Sequence, residues 1–577
     1  MAADPTPLRK GGVLGAGARA AWIGVGLVLA ALAVALPSDL APPVPVAPID
    51  GATLARIAFS LTALAAITFG ALGRSLPRVG ATDRLRLPTP EGLGSVRHPL
   101  VWLTAITALA AALRFYALGG SLWFDEVITV FSASRPFLEL FTAPTSLNNH
   151  LLHTFLVRGM IEIAGPHEWA IRLPAVVFGV ATVPAVYGLA RIALRQREAL
   201  LAALLVATSY HHVLFSQNSR GYAALIFWIV LATWFFLRAL TADRTTDWVG
   251  FAAASFLGGA TVLVGGFALV GQALAVGLIA LQIRRAGGNP WPITVKSLVV
   301  ILGVGLVLLD LYALALPRLY WQVSPGPRWR SSAGPTGFWY ELDWGLAEGF
   351  GEAGIRLLGL LIILLIPGAI LFARRHPAYC ALLCAPVTTL GAAVLLIGLY
   401  AMPRYFLWAL VPFAIGIVGA SAVWPRRATR WAAPVLVTLV TVGSLMALRS
   451  YYAIPFQASR ESLEWVLSES SPGDVIVAVG ATGRLVQFYG PRVGLHRSRT
   501  VYKVDQLEQL LSIERTHPDH QLWLLTTQWL FIEIRAAPMS EYIDRCYLPI
   551  RRYLAKVHRM EITVWMPRCR DDATVAR

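Results

Sequence analysis

Ser121–Thr129 reads SLWFDEVIT, in which Asp125 and Glu126 stand side by side among Leu122, Trp123, Phe124, Val127 and Ile128. The apolar run before it, Pro99 to Leu118, has the roughly 20 residues a helix needs to cross a bilayer. Two acids at the rim of a membrane span admit two readings: a solvated interfacial pair, or a pair placed there for chemistry. The apolar flanks favour the second, because desolvation strengthens a carboxylate as a proton acceptor.

The rest of the chain has the same greasy character. Of its 577 residues, 56% are hydrophobic and only 14% charged, with a mean hydropathy of +0.61. That is the composition of a polytopic α-helical membrane protein rather than of several soluble domains. About thirteen segments reach or approach spanning length: residues 19–37, 54–73, 99–118, 172–193, 199–216, 221–238, 248–265, 267–283, 296–316, 355–373, 378–400, 404–424 and 431–449. The division at Gly265 and Gly266 reads alternatively as a kink.

The net charge of +17 does not point to nucleic acid, because the basic residues cluster in short connections. Arg74, Arg78, Arg84, Arg86 and Arg97 share one loop; Arg191, Arg195 and Arg197 another; Arg284–Arg285, Arg374–Arg375 and Arg426, Arg427 and Arg430 follow. By the positive-inside rule these loops face the cytoplasm. Residues 119–171, the Ser216–Arg220 turn, 317–354 and everything after 450 are then outside. Arg9, Lys10 and Arg19 precede the first apolar stretch, as in a signal peptide or a retained first helix; we adopt the retained helix.

Four cysteines make no disulfide framework and show no metal spacing. Cys380 and Cys384 share one span and read as packed free thiols. Cys546 and Cys569 fall in the outside tail, where they either pair or stay apart.

Three regions follow. Residues 1–98 form a two-helix membrane appendage, set apart by APPVPVAP (Ala41–Pro48) and a basic loop. Residues 99–449 form the main membrane module, with long outside loops at 119–171 and 317–354. The first loop contains LNNHLLHTFLVRGMIEIAG, whose apolar spacing around His150, His153 and Arg158 predicts an amphipathic helix on the outer surface. The second, rich in Trp, Tyr, Pro and Gly, reads as a lid or as interfacial anchors. Residues 450–577 form a small α/β domain outside the membrane: a helix at SRESLEWVLSES, strands at VIVAVG, HQLWLLTT and MEITVWMP, and a helix around 530–545.

Two further clusters lie at outward turns. In SYHHVLFSQNSRGY (Ser209–Tyr222), Arg220 beside two apolar spans is costly unless paired or bound to an anion, and a guanidinium fork suits phosphate. A snorkelling arginine is the other reading, and His211 and His212 read as interfacial packing. In AMPRYFLW (Ala401–Trp408), Arg404 opens a span on the same side. A carboxylate base with cationic phosphate holders is what transfer from a lipid phosphate requires.

SLWFDEVIT, NNHLLHTFL, EWAIRLPAVVFGVATVPAVYGLAR, FSQNSRGYAALIF and MPRYFLW, spread over 99–424, resemble the polyprenyl-phosphate-sugar-dependent membrane glycosyltransferases of the GT-C class, in the branch of protein O-mannosyltransferases and aminoarabinose transferase. The resemblance implies inverting transfer of a single sugar from a polyprenyl-phosphate donor to a lipid, glycan or protein acceptor, outside the cytoplasm at the plasma (inner) membrane, without a cofactor or catalytic metal. It casts Asp125 as the base and Glu126 as its orienting or sugar-holding partner. Arg220 and Arg404 lie near the lipid phosphate, and Asn149, His150, His153, Gln217, Tyr222 and Tyr405 join the substrate-binding candidates. Relatives carry a Lys-Pro-Pro pattern where this chain has NNHLL, which leaves the role of His150 open. An oligosaccharide or polymer transferase would keep the fold and change the cargo. A lipid-linked sugar flippase should instead show internal repeats and mid-span ionisable groups.

Overall fold

The computed structural model describes residues 14–40, 49–73, 75–142, 150–323, 363–397, 401–529, 536–556 and 560–568, with isolated positions between these ranges. Asn149, Cys569 and most of the 317–354 loop lie outside the described residues, so the pairing of Cys546 with Cys569 and the lid reading fall there too.

Among the described residues, helix occupies each apolar segment. In chain order the helices used below are α1 (Ala16–Ala35), α2 (Gly51–Leu72), α3 (Pro99–Phe115), α4 (Phe124–Ala133), α5 (Leu151–Ala164), α6 (Glu168–Ala190), α7 (Gln196–Thr208), α8 (Tyr210–Ser216), α9 (Tyr222–Ala242), α10 (Thr245–Thr261), α11 (Gly266–Arg285) and α12 (Trp291–Tyr312). A helical run at 363–375 comes next, then α13 (Pro377–Ile397), α14 (Leu410–Ala422) and α15 (Arg426–Ala453). Among the described residues nine helices are long and apolar enough to cross a membrane, or ten if the bent pair α7/α8 counts as one. The break near Gly265 and Gly266 is a true division: α10 ends at Thr261, and a short 3-10 turn, Leu263–Gly265, leads into α11. Leu64, Leu100, Trp102, Leu274 and Leu302 are all more than half exposed, an apolar surface that fits a bilayer and not water. The chain is a multi-pass membrane protein.

Two compact units emerge: Met1–Tyr116 with Arg135–Leu156 and Leu173–Ala447, and Ala117–Ser134 with Val157–Arg172 and Leu448–Arg577. In the first, Ala55 and Ala58 of α2 pack with Ala313, just past α12. Cys380 and Cys384 are free thiols on α13, the first half-buried and the second exposed. At the basic connections Glu91 pairs with Arg375 (3.0 Å) and Asp243 with Lys296 (2.7 Å).

The expected single span at 199–216 is bent by 57° at Ser209. A break leaves the last carbonyls of α7 without helical partners, and lipid offers none. Arg114, fully buried near the end of α3, supplies them: Nη1 donates to Ala207 O (2.9 Å) and Ala110 O (3.0 Å), and Nη2 to Val206 O (3.4 Å). Its Nε reaches Ser216 Oγ (3.2 Å), on the far side of the bend. Gly179 of α6 permits this packing, since a Cβ there would overlap Ser216.

The second unit holds a five-stranded sheet of order β2-β1-β3-β5-β4, built from β1 (Val475–Val479), β2 (Thr500–Val504), β3 (Leu522–Thr527), β4 (Tyr547–Tyr553) and β5 (Ile562–Pro567). The first three strands run parallel; β5 is antiparallel to both β3 and β4. Helices α16 (Ser459–Glu469), α17 (Thr482–Val493), α18 (Leu507–Thr516) and α19 (Ala537–Cys546) complete it. Its core joins Leu122, Val127 and Val130 of the acid-bearing segment and Val157 and Ile171 to Leu463, Ile476, Val486, Tyr489 and Leu525.

Candidate active site

In the second unit, Asp125 and Glu126 occupy the first turn of α4, both buried, and Glu126 completely so. Glu126 Oε1 and Oε2 accept from Arg172 Nε (2.8 Å) and Nη2 (2.7 Å), and Oε2 also accepts from the Trp123 N–H (3.2 Å). The remaining Arg172 donors hold the carbonyls of Leu118 (2.9 Å), Gly120 (2.7 Å) and Ser121 (2.9 Å). A guanidinium has five N–H donors, and here they bind the acid and the three carbonyls leading to it. Glu126 therefore has the partners of a structural carboxylate. Asp125, its neighbour, contributes its backbone carbonyl to Thr129 Oγ1 (3.0 Å).

Arg172 was not singled out from the sequence. Its signal was present: a lone arginine opening the apolar run of α6 demands a buried acid, and Glu126 is that acid.

In the first unit, Arg220 lies in the turn between α8 and α9 and is 1% exposed. Its Nη2 stands 2.8 Å from His150 Nε2, and the Gly221 N–H donates to His150 Nδ1 (2.9 Å). A backbone N–H can only donate, so Nδ1 is the unprotonated nitrogen. Burial, followed by the Arg220 charge and smaller contributions from His153 and Arg404, holds the His150 pKa well below its ordinary value, so the ring is neutral. Nε2 then carries the hydrogen, and two donors face each other. A third group that accepts from both, such as an anion, would satisfy the pair. Gly221 is required here: a Cβ would lie 2.7 Å from His150 Nδ1 and 2.8 Å from Thr261 Cγ2.

Tyr222 packs edge-on against His150 (4.9 Å) and Phe215 (5.2 Å), with Tyr405 6.4 Å away. Its buried hydroxyl has no hydrogen-bond partner among the described residues. His153, also fully buried, has Nε2 3.4 Å from Ser219 Oγ, and burial, then Arg220, pushes its pKa down to about 3. The α5 helix forms as expected, but His153 within it and His150 just before it are buried rather than displayed on an outer surface.

Of the sequence candidates in this unit, the structure gathers His150, His153, Arg220, Tyr222 and Tyr405, with Arg404 near enough for its charge to act on His150. Gln217 stands apart in role: its Nε2 donates to Arg114 O (2.9 Å) and Tyr116 O (2.6 Å), tying the turn to the end of α3. His212 is not interfacial packing either; its Nδ1 lies 2.6 Å from Arg114 Nη2 in the clamp at the bend. Among the described residues no group of three or more His, Cys, Asp or Glu side chains is placed to hold a metal ion.

Residues 148–309 match the family model of dolichyl-phosphate-mannose-protein mannosyltransferase. No curated protein matches the chain in sequence. Among solved structures, ArnT from Cupriavidus metallidurans in the apo state matches at a TM-score of 0.50 and 14% identity, over 81% of this chain and 98% of that one. ArnT bound to undecaprenyl phosphate gives 0.42 at 15% identity, over 81% and 98%. The archaeal oligosaccharyltransferase AglB from Archaeoglobus fulgidus, in complex with an inhibitory peptide and a dolichol-phosphate, gives 0.46 at 13% identity, over 77% and 72%. The likeness to apo ArnT shows the GT-C fold, and with the family match it bears out the resemblance seen in the sequence. Together they support a glycosyltransferase.

Proposed function

We propose that the chain transfers a single sugar from a polyprenyl-phosphate donor to a hydroxyl of a lipid, glycan or protein acceptor, with inversion, on the extracytoplasmic side of the inner membrane. The acceptor oxygen attacks the anomeric carbon as the bond to the phosphate oxygen breaks, and Asp125 takes the hydroxyl proton. The leaving phosphate keeps the bonding electrons. Arg220, Arg404 and the His150 Nε2–H stabilise that charge, and fixed donors aimed at developing charge are an effective form of catalysis. Attack opposite the leaving group, at a carbon with oxocarbenium character, gives the inverted product. Glu126 orients the acid turn.

The observation that carries this reading is the pair of facing donors at Arg220 and His150, fixed by the Gly221 amide. Such a pair of donors is suited to an anion that accepts from both. The bound undecaprenyl phosphate of an ArnT structure and the mannose donor in the family description name the class of anion that fits it. The loop-by-loop distribution of arginine supports the orientation.

The test is direct. Protein in lipid nanodiscs is incubated with radiolabelled undecaprenyl-phosphate sugars, hexose and pentose, and label is followed from donor to product. Transfer from one of them, with the anomeric configuration inverted, is expected. No label loss from any donor, together with undecaprenyl phosphate binding that Arg220→Ala leaves unchanged, would contradict the proposal.

A further inference from the structure

The segment that carries Asp125 is fixed by side chains more than 300 residues away in sequence, all within its own compact unit. Three successive amides are involved. Leu122 N–H donates to Tyr489 Oη (2.7 Å), Trp123 N–H to Glu126 Oε2 (3.2 Å) and Phe124 N–H to Gln457 Oε1 (2.9 Å). These groups lie at and just before the start of α4, where a helix has no acceptors of its own.

The two distant acceptors are themselves held. Gln457, completely buried, donates through Nε2 to Thr527 Oγ1 (2.8 Å) at the end of β3 and to Met560 O (2.9 Å) beside β5. That fixes which end of its amide faces Phe124. Tyr489 on α17 accepts from Leu122 and donates to Glu168 Oε1 (3.3 Å). Burial raises its hydroxyl pKa well above the ordinary range, so the proton needed for that second bond stays in place. Ser121 Oγ donates to Glu461, and Trp123 stacks on Phe456, next to Gln457 in the chain.

We infer that Gln457 and Tyr489 are positioning residues for Asp125: the C-terminal α/β region sets the first turn of α4, and with it the direction of the catalytic carboxylate. The inference rests on Asp125 being the base. It assigns the C-terminal region a part in the chemistry through the acid loop, without lending a reacting group.

The experiment uses the full chain in nanodiscs carrying Gln457→Leu, Gln457→Glu or Tyr489→Phe. Hydrogen exchange of peptides covering residues 118–130 is the first readout. Gln457→Leu and Tyr489→Phe should speed exchange there by about ten-fold or more, since each removes the acceptor of a buried amide. Gln457→Glu keeps an oxygen for Phe124 but sets a second one against the Met560 carbonyl, so it should also speed exchange. Turnover with a saturating radiolabelled undecaprenyl-phosphate sugar should fall about ten-fold, while undecaprenyl phosphate binds within about two-fold of wild type. Combined with Asp125→Asn, the same changes should lower turnover no further, because they act through that carboxylate.

Unchanged exchange, or an effect that adds in full to Asp125→Asn, overturns the inference. Tyr489→Phe removes one hydroxyl and keeps the ring, so it decides the matter where Gln457→Leu does not fold. If Asp125→Asn alone transfers at the wild-type rate, the proposed base is wrong. The exchange result then still shows whether the C-terminal region holds the loop.

Discussion

The Arg220 turn and the Asp125 loop are both short connections carrying buried charge, and they are satisfied in opposite ways. Around Asp125 the amides of Leu122, Trp123 and Phe124, the carbonyls of Leu118, Gly120 and Ser121, and both Glu126 oxygens have protein partners. At Arg220 a guanidinium meets an imidazole whose other nitrogen is already occupied by the Gly221 amide. A fully satisfied buried network holds a geometry. Facing donors are an arrangement that an acceptor such as an anion would complete. On the proposed reading, one region positions and the other receives.

The largest effect should come from breaking the network that positions. Arg172→Ala leaves Glu126 as a buried charge without its fork, and Glu126→Gln turns an amide towards donors. Each should cost about 3–5 kcal/mol, seen as a large fall in unfolding temperature in nanodiscs. Survival of Arg172→Ala with unchanged stability would mean that Glu126 does not hold the loop.

The receiving cluster should respond in affinity rather than in stability. Arg220→Ala should weaken undecaprenyl phosphate binding by roughly 10- to 100-fold, the worth of a charged hydrogen bond of about 1.5–3 kcal/mol. Arg220→Lys, which keeps the charge and loses the fork, should fall between Ala and wild type. Equal titration curves for all three would remove Arg220 from the phosphate.

A graded effect of pH is expected. His153 has its pKa pushed from 6.5 down to about 3, and His150 is lowered in the same direction. Both rings are neutral in the folded protein and take up protons on unfolding once the pH drops below about 6.5. Stability should therefore be full above that pH and fall as it drops, by up to about 1.4 kcal/mol per pH unit for each ring. For His153 the loss continues towards pH 3. Unfolding temperature measured between pH 7 and 5 gives the slope, and His153→Gln should flatten it. A slope unchanged in that variant would contradict the buried neutral ring.

Much of this was legible in the sequence, for identifiable reasons. Among the described residues, hydropathy found a helix at each apolar segment, because burying or embedding some 20 apolar residues dominates everything else there. It could not find the bend at Ser209, because hydropathy reports composition and the bend depends on Arg114 reaching the carbonyls of Val206 and Ala207. In the C-terminal region the buried strands β1, β3 and β5 were read from their apolar runs. The edge strands β2 and β4 were not: TVYKV is only partly buried and YLPIRRY largely exposed, and they carry the charge and proline that edge strands tolerate. The acid pair and Arg220 stood out by motif and setting. Arg172, Gln457 and Tyr489 did not, because their meaning lies in long-range partners that no local pattern displays.

Asp125 is the residue on which the proposed transfer depends. Asp125→Asn keeps the shape of the side chain and removes its capacity as a base, so sugar transfer from a polyprenyl-phosphate donor should fall by roughly 100-fold or more. Undecaprenyl phosphate binding and the exchange protection of residues 118–130 should stay at wild-type levels. Transfer at a near wild-type rate by Asp125→Asn would contradict the account.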